Sequence, residues 1–539
     1  MPYPRFAAWL LAGLIPLAAA AAEPLPSLSE LESAGAVIGD IRVDTDNIFD
    51  LDNPREDNFL FRTANALHIK TRPWLIRRLL LFKSGERLSR RRIDETERLI
   101  RANSSVYDVA IRPVRYENGV VDLEVRTRDT WTLQPSVKLS RSGGATTGGF
   151  SVKESNLAGT GTMLDLSRAK DVDRTGTQIG LSHQHLFDGW TSIAASRARF
   201  SDGSSTALSI DRPFYALETT WAAGASAGSF DRSDSLYQNG DVVGRFRHQQ
   251  HAAQAYAGWS PGLVDGWTHR YSAGLSYSED RYEADPTQPP PTPIPADRTL
   301  AGPFVRYEVI QDDYLQVENR DRIRRPEYLA MGLQSTVQLG RSLAAFGATD
   351  DPWQIAVSVS KGFRAPANGQ VFASMSYAAQ YGSSIGDVRT LGVSTRYFAP
   401  QTGRLLLYLA ASGNTVKTPN FSDEILLGGD NGLRGYPLRY QRGARSALFT
   451  VEERYYSDLY LFQLFRVGAA VYYDLGRAWG SQLPNATPGW LSDVGFGLRF
   501  LNARTSFGNV LHVDIAFPMH RTNPGVKRAQ LLVVTAQTF

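Results

Sequence analysis

Along most of the chain, apolar positions recur at every second residue. From Thr130 to Phe539 no segment carries apolar residues at convincing helical spacing. Segments of about 10 to 14 residues alternate instead, where crossing a bilayer at a tilt takes about 9 to 11 and a soluble sandwich uses strands of about 5 to 6. Examples are TMLDLSRA (162–169), TALSIDRPF (206–214), YLAMGLQSTVQLG (328–340), WQIAVSVSKGF (353–363) and LLLYLAASG (405–413). The alternation is clearest near the end of the chain. Ala469, Val471, Tyr473 and Leu475 share one face, opposite Gly468, Ala470, Tyr472 and Asp474. Val494, Phe496, Leu498 and Phe500 oppose Asp493, Gly495, Gly497 and Arg499. Leu511, Val513, Ile515 and Phe517 oppose His512 and Asp514. Apolar faces suit lipid and polar or small ones suit a lumen, so the pattern predicts an all-β transmembrane barrel over 130–539, with up to about 20 candidate strands. Closure removes edges that lipid cannot hydrogen-bond.

The first part of the chain has another rhythm. Residues 37–43 (VIGDIRV) alternate as a strand, and 44–57 are acidic and irregular. Residues 73–82 (PWLIRRLLLF) carry apolar residues at helical spacing until KSGE breaks them. Ser89 is placed to cap a second helix over 90–102, whose apolar stripe is Ile93, Thr96, Leu99 and Ile100. Two strands, 106–116 and 120–127, follow around Glu117-Asn118-Gly119, where Asn-Gly signals a hairpin. The order β-α-α-β-β predicts a small α/β domain over 37–128, after an N-terminal segment at 23–36. Ahead of it, 1–22 (MPYPRFAAWLLAGLIPLAAAAA) has one Arg5, an apolar stretch and a small-residue site at Ala20-Ala21-Ala22, as a signal peptide does. The prolines of 285–297 (DPTQPPPTPIPAD) forbid a sheet interior, and an extracellular loop is expected there.

Composition sharpens this picture. The 539 residues are 42% hydrophobic, and the mean hydropathy is only −0.27. Yet 23 Tyr, 25 Phe, 10 Trp and 47 Gly are present, which fits hydrophobicity stored in alternate positions. The absence of cysteine excludes disulfides, thiolate metal sites and cysteine catalysis. A balance of 58 basic against 54 acidic residues, net +4, gives no argument for nucleic acid.

Residues 427–437 read LGGDNGLRGYP. TVEERYY from Thr450, VYYDLGRAWG from Val471, DVGFGLRF from Asp493 and FGNVLHVDIAFPM from Phe507 follow, and the chain ends on Phe539 after LLVVTAQTF. In that order these motifs resemble the BamA/TamA-type outer-membrane barrel superfamily (the bacterial surface antigen family), which also includes two-partner-secretion translocators. The 37–128 unit, with FKSGERL and VYDVAIRPV, resembles a POTRA domain, a periplasmic module that binds extended chains or partner subunits at a sheet edge. Residues 130–419 match by pattern alone.

The resemblance implies a family norm of 16 antiparallel strands behind one POTRA-like domain. It implies a loop folded into the lumen and carrying Leu433, Arg434, Gly435 and Tyr436. Arg434 would pair with an acidic residue on a neighbouring strand, Asp474 first and Glu452 second, with Gly428, Gly429, Gly432 and Gly435 permitting the turns. Phe539 would be the C-terminal signal. The first strand (near 132–140, with Pro135) and the last (530–539) would meet weakly and open sideways. Placed in the cell outer membrane with its POTRA-like domain in the periplasm, such a barrel inserts, assembles or translocates proteins or another envelope client. Its partners would be outer-membrane lipid, unfolded envelope proteins and periplasmic or lipoprotein partners, with no nucleic acid. The named machines of the family carry several POTRA domains where this chain has one, so the resemblance supports membership better than equivalence. A passive channel or structural barrel is the alternative, and an outer-membrane enzyme such as a lipase a third reading.

Little in the chain supports chemistry. Gly224-Ala-Ser226-Ala-Gly228 fits a nucleophile elbow but lies inside an alternating small-residue stretch, not a strand-turn-helix. His183 and His185 share a strand face without an evident third ligand, and His248 and His251 are in the same position. Asp44, Asp46, Asp50 and Asp52 lack the glycine and terminal glutamate of a calcium loop. No catalytic residue, metal or cofactor is expected, and the protein is expected not to be an enzyme.

Overall fold

The computed structural model describes residues 25–103, 105–290, 294–418, 423–481, 489–504, 510–521 and 525–536. Residues 1–22, expected to be a signal peptide, and Phe539 lie outside these. The first unit contains α1 (Leu28–Ser33), β1 (Val37–Asp46), α2 (Phe59–Leu67), α3 (Pro73–Arg78), α4 (Arg90–Ala102), β2 (Val106–Glu117) and β3 (Val120–Asp129). Its sheet has the order β1-β3-β2, with β1 parallel and β2 antiparallel to β3. The Asn118-Gly119 turn has positive φ at both residues (51° and 78°), as the hairpin signal requires. Helix α4 has the expected bounds and buries Ile93, Thr96 and Ile100. Ile93 and Ile100 join Val109, Ile111, Val121, Leu123 and Val125 in one apolar core. Two helices depart from the expected order. Helix α1 is fixed by a capping box in which Ser27 and Glu30 exchange hydrogen bonds. Helix α2 starts at Asn58, whose side chain accepts from the Phe61 N–H.

Beyond residue 132 the chain closes into an antiparallel barrel of 20 long strands, with a two-residue strand (Leu263–Val264) added at one turn. The count is that of the alternating segments and not the 16 of the family norm. The recognisable motifs sit on the last few strands, and circumference is set by every strand. The expected faces hold. Val471, Phe496 and Leu498 are 56%, 52% and 48% exposed on the outside, while Asp474, Asp493 and Arg499 are fully buried on the lumen side. Trp221 and Trp259 pair across neighbouring strands, and Trp259, Tyr271 and Tyr307 stack in sequence around one rim. An aromatic girdle at a membrane boundary has this form.

The N-terminal domain sits at the same rim. Asn156 donates to Thr71 (2.8 Å), Leu217 N–H donates to Glu95 (2.8 Å), and Arg504 pairs with Glu56. Of the proline-rich stretch expected to be a loop, the described residues 285–290 lie at the opposite end, where Pro289 O accepts from Arg245 N–H (3.2 Å). The stretch 328–340 is not one strand. Pro326–Ala330 pairs with Tyr314–Glu318 in a separate hairpin, and Gln334–Arg341 belongs to the barrel wall. The break falls at Gly332, where a Cβ would lie 2.2 Å from the Gln311 carbonyl oxygen.

Candidate functional site

The long segment between strands Leu405–Lys417 and Arg445–Leu461 enters the barrel from the end away from the N-terminal domain. A short hairpin, Ile425–Leu427 with Gln441–Gly443, forms its stem. Arg442 in that stem is buried and donates to Glu424 (2.8 Å). Leu433 and Tyr436 are fully buried, in a cluster with Leu427, Tyr440, Ala478 and Leu491. The Tyr436 hydroxyl donates to the Ser492 carbonyl (3.0 Å). Two glycines make the path possible. Gly432 has φ +125°, and a Cβ there would meet Leu448 at 2.1 Å. A Cβ on Gly435 would lie 2.7 Å from the Cβ of Asp493.

Arg434 projects from this turn onto the lumen wall. Its Nε and Nη2 donate to the two oxygens of Asp474 at 2.7 and 3.0 Å, a fork-on-fork contact. Its Nη1 donates to Glu452 at 3.0 Å, and its guanidinium lies 3.2 Å from the centre of the Tyr472 ring. The two carboxylates offered as alternatives are therefore engaged together. Strand register explains why. Thr450 is opposite Asp474 and Glu452 opposite Tyr472, so both acids and the ring share one inward patch. Thr450 completes Asp474 with a hydrogen bond of 2.8 Å.

Three further members, of which the sequence places Arg499 and Asp514 on polar strand faces, were not assigned to the site. Arg454 Nε donates to the other oxygen of Glu452 (2.9 Å). Arg499 pairs with Asp514 and lies 3.8 Å from Glu452. Arg434, Arg454 and Arg499 thus balance Asp474, Glu452 and Asp514 in charge. The signal was available, since each falls on the inward parity of its strand.

A second structure enters from the other end, and sequence reasoning missed it. The hairpin of Tyr314–Glu318 and Pro326–Ala330 folds into the barrel, and its tip buries Ile323 against Phe398, Leu406, Tyr456 and Leu501. Arg454 Nη1 donates to the tip carbonyl of Arg320 (2.8 Å), and the Tyr456 hydroxyl to the same oxygen (3.1 Å). Hydrogen bonds therefore run without a gap from Asp474 through Arg434, Glu452 and Arg454 to the hairpin tip. The outer loop and the inner hairpin meet on one strand, Arg445–Leu461.

Among the described residues, the first and last barrel strands share the fewest registered pairs of the long wall strands. Gln530–Ala536 registers against Leu133–Ser142 at one pair, Val533 with Arg141. On its other side the same strand is paired from Gln530 to Ala536. The loop reaches this seam too. Ser142 Oγ donates to Gly429 O (2.5 Å), and Leu438 N–H to Gly143 O (3.2 Å).

The residues weighed for other chemistry lie apart. Gly224, Ser226 and Gly228 are inside strand Trp221–Gln238. His183 bonds Thr162 (2.8 Å), and His185 contacts Gly189 O (2.9 Å) and Asn103 (3.2 Å). His248 lies 3.0 Å from both Asp234 and Asp280, and His251 is exposed on the same strand. Asp44, Asp46 and Asp50 face Arg42, Arg126 and Arg128 in turn, and Asp52 is exposed. Among the described residues no group of three or more His, Asp or Glu is arranged to hold a metal ion.

No known family profile and no curated protein matches the chain. Among solved structures it is similar to CdiB from Escherichia coli (TM-score 0.49, 12% identity, 94% of this chain and 77% of that one). It is also similar to BamA from Haemophilus ducreyi lacking POTRA domains 1–3 (TM-score 0.42, 12% identity, 93% and 84%). The FrpB iron transporter from Neisseria meningitidis is a further neighbour (TM-score 0.42, 11% identity, 80% and 87%).

Proposed function

We propose that this protein is an outer-membrane barrel of the BamA/TamA type that inserts, assembles or translocates polypeptides, with its N-terminal domain acting as a periplasmic POTRA-like receptor. The observation that carries the reading is the LRGYP loop, drawn into the lumen and pinned by Arg434 on Asp474 and Glu452. The edge of the small sheet at β2 has no second strand partner, and beyond Tyr107, Val109 and Ile111, whose backbone groups bond Arg325, Arg101 and Glu97, it offers a place for an added strand. The single registered pair at the seam supplies a place for the wall to part. Filling the lumen from both ends argues against a passive channel, which needs an open aqueous path.

The test is photo-crosslinking in cells from Val114, an exposed residue of β2. Recovery of unfolded barrel precursors or of a lipoprotein partner is expected. A barrel that captures no polypeptide and conducts ions in planar bilayers would instead be the channel.

A further inference from the structure

A cavity of about 920 Å³ lies between helix α4, the barrel rim near Leu217 and the inner hairpin. Its lining includes Arg98, Arg101, Arg270, Arg322 and Arg325, together with the rings of Tyr107, Tyr215, Tyr314 and Tyr328. Four carboxylates share it: Glu95, Asp108, Asp321 and Glu327. Each is already committed. Glu95 accepts from Arg91 and from Leu217 N–H, and Asp108 from Arg101 and Val109 N–H. Asp321 faces Arg396 at 3.5 Å. Glu327 accepts three backbone N–H groups, those of Arg320, Asp321 and Arg322.

The arginines are not matched in the same way. Arg325 is 8% exposed and Arg270 9%. Nη1 of the first and Nε of the second are buried without a hydrogen-bond partner among the described residues. Their remaining bonds go to neutral carbonyls, Arg325 to Tyr107 O (3.4 Å) and Arg270 to Ala216 O (3.1 Å). Arg322, a like charge, stands beside Arg325. The nearest carboxylates, Glu308 opposite Arg270 on the neighbouring strand and Asp108 and Glu327 near Arg325, do not come within 4.0 Å as ion pairs, and burying a guanidinium without a directly paired anion is costly. Two of them beside one cavity, with every lining carboxylate engaged elsewhere, mark an anion position that the chain itself does not fill.

We propose that this cavity binds an acidic polypeptide segment, its carboxylates on Arg270, Arg322 and Arg325 and its side chains against the tyrosines. The location selects a polypeptide over a lipid headgroup. Arg270 points to the lumen side of its strand, while its neighbour Tyr271 is on the outer face, so acyl chains of the bilayer do not reach the site. Tyrosine and arginine together are also the side chains that protein recognition sites favour. The inference deepens the polypeptide-handling reading by naming what the mouth of the lumen recognises, and it rests on that reading for the identity of the ligand.

The test uses the full chain in detergent micelles and a labelled peptide of alternating Asp and aromatic residues, compared with its Asn counterpart. The acidic peptide is expected to bind, with affinity falling as salt screens the contacts, and the Asn peptide is not. Arg325→Gln and Arg270→Gln should each weaken binding by at least about tenfold. Arg42→Ala, at a guanidinium 73% exposed elsewhere in the domain, should leave it unchanged. Should the buried variants fail to fold, the half-buried Arg322→Ala carries the same expectation. Equal binding of the two peptides, or unaltered binding by the Arg322 variant, overturns the proposal. So does inorganic phosphate binding where the peptide does not, which would make the site one for a free oxyanion. The assay needs no insertion or secretion activity, so acidic-peptide binding by a protein that handles no client in cells would fail the functional reading alone.

Discussion

At the scale of single residues, the lumen site turns on one forked cation. Arg434 was legible in the sequence because LRGYP is a local string, and Asp474 and Glu452 because strand parity points them inward. That both acids are used at once was not legible. It depends on the register between strands Arg445–Leu461 and Phe465–Trp479, which pairing across many residues decides. Removing Arg434 leaves two carboxylates buried beside each other, a change that costs about 3–5 kcal/mol where a buried pair is broken. Arg434→Ala is therefore expected to release the loop, seen as protease cleavage within 428–440 and loss of the heat-modifiable gel mobility. Arg434→Lys should recover only part of this, since an ammonium cannot bridge both oxygens of Asp474 as the fork does. Wild-type mobility and protease resistance in the alanine variant would remove the assigned role. Gly435→Ala should reproduce the defect with the charges intact, because its Cβ meets Asp493 at 2.7 Å.

At the scale of elements, alternation revealed strands well and the object inside the barrel poorly. Helix α4 and the strand starting at Trp353 were read to their first residues from their period, while Ser89, expected to cap α4, stands at its N-cap without a side-chain hydrogen bond to the helix. Helix α1 was missed although Ser27 and Glu30 spell a capping box. Six residues give too little periodicity to register. The inner hairpin was hidden for the opposite reason. Residues 328–340 alternate without interruption, so the pattern runs through the point where the chain leaves the lumen and joins the wall. Only Gly332 marks it, and a glycine in an alternating run has many uses. The hairpin tip is held by Ile323, 1% exposed, and by hydrogen bonds to Arg320 O. Truncation of such a side chain costs about 2–5 kcal/mol. Ile323→Ala should loosen the tip and raise ion conductance in planar bilayers. Deletion of 319–325 combined with Arg434→Ala should raise it further than either change alone, since each end is closed by its own element. Conductance unchanged in the combined variant would show that neither element obstructs the lumen.

At the scale of the whole molecule, the elements are joined through two connections of unequal strength. The N-terminal domain is bound to the rim at widely spaced points, from Thr71 on Asn156 to Arg504 on Glu56. Among the described residues the wall is registered over many pairs except where its first and last strands meet. The sequence suggested that seam through Pro135, which has no N–H to give. Pro135 lies in the first wall strand, in register with Val152 of the next. The loop stem contacts the first strand through Ser142 and Gly143, so the element that fills the lumen also steadies one side of the opening. If clients pass through the seam, fixing it must stop activity without disturbing the loop. The chain has no cysteine, so Val533→Cys with Arg141→Cys introduces the only thiols in the molecule. These positions are partners in an antiparallel pair, within the range that a disulfide spans. Oxidation is expected to abolish client assembly or secretion, and a reductant to restore it, while heat-modifiability stays constant throughout. A cysteine pair at Ser136 and Ser151, inside the intact wall, should be silent in both states. Full activity in the oxidised seam variant would place the route elsewhere, through the lumen and past the two elements that close it.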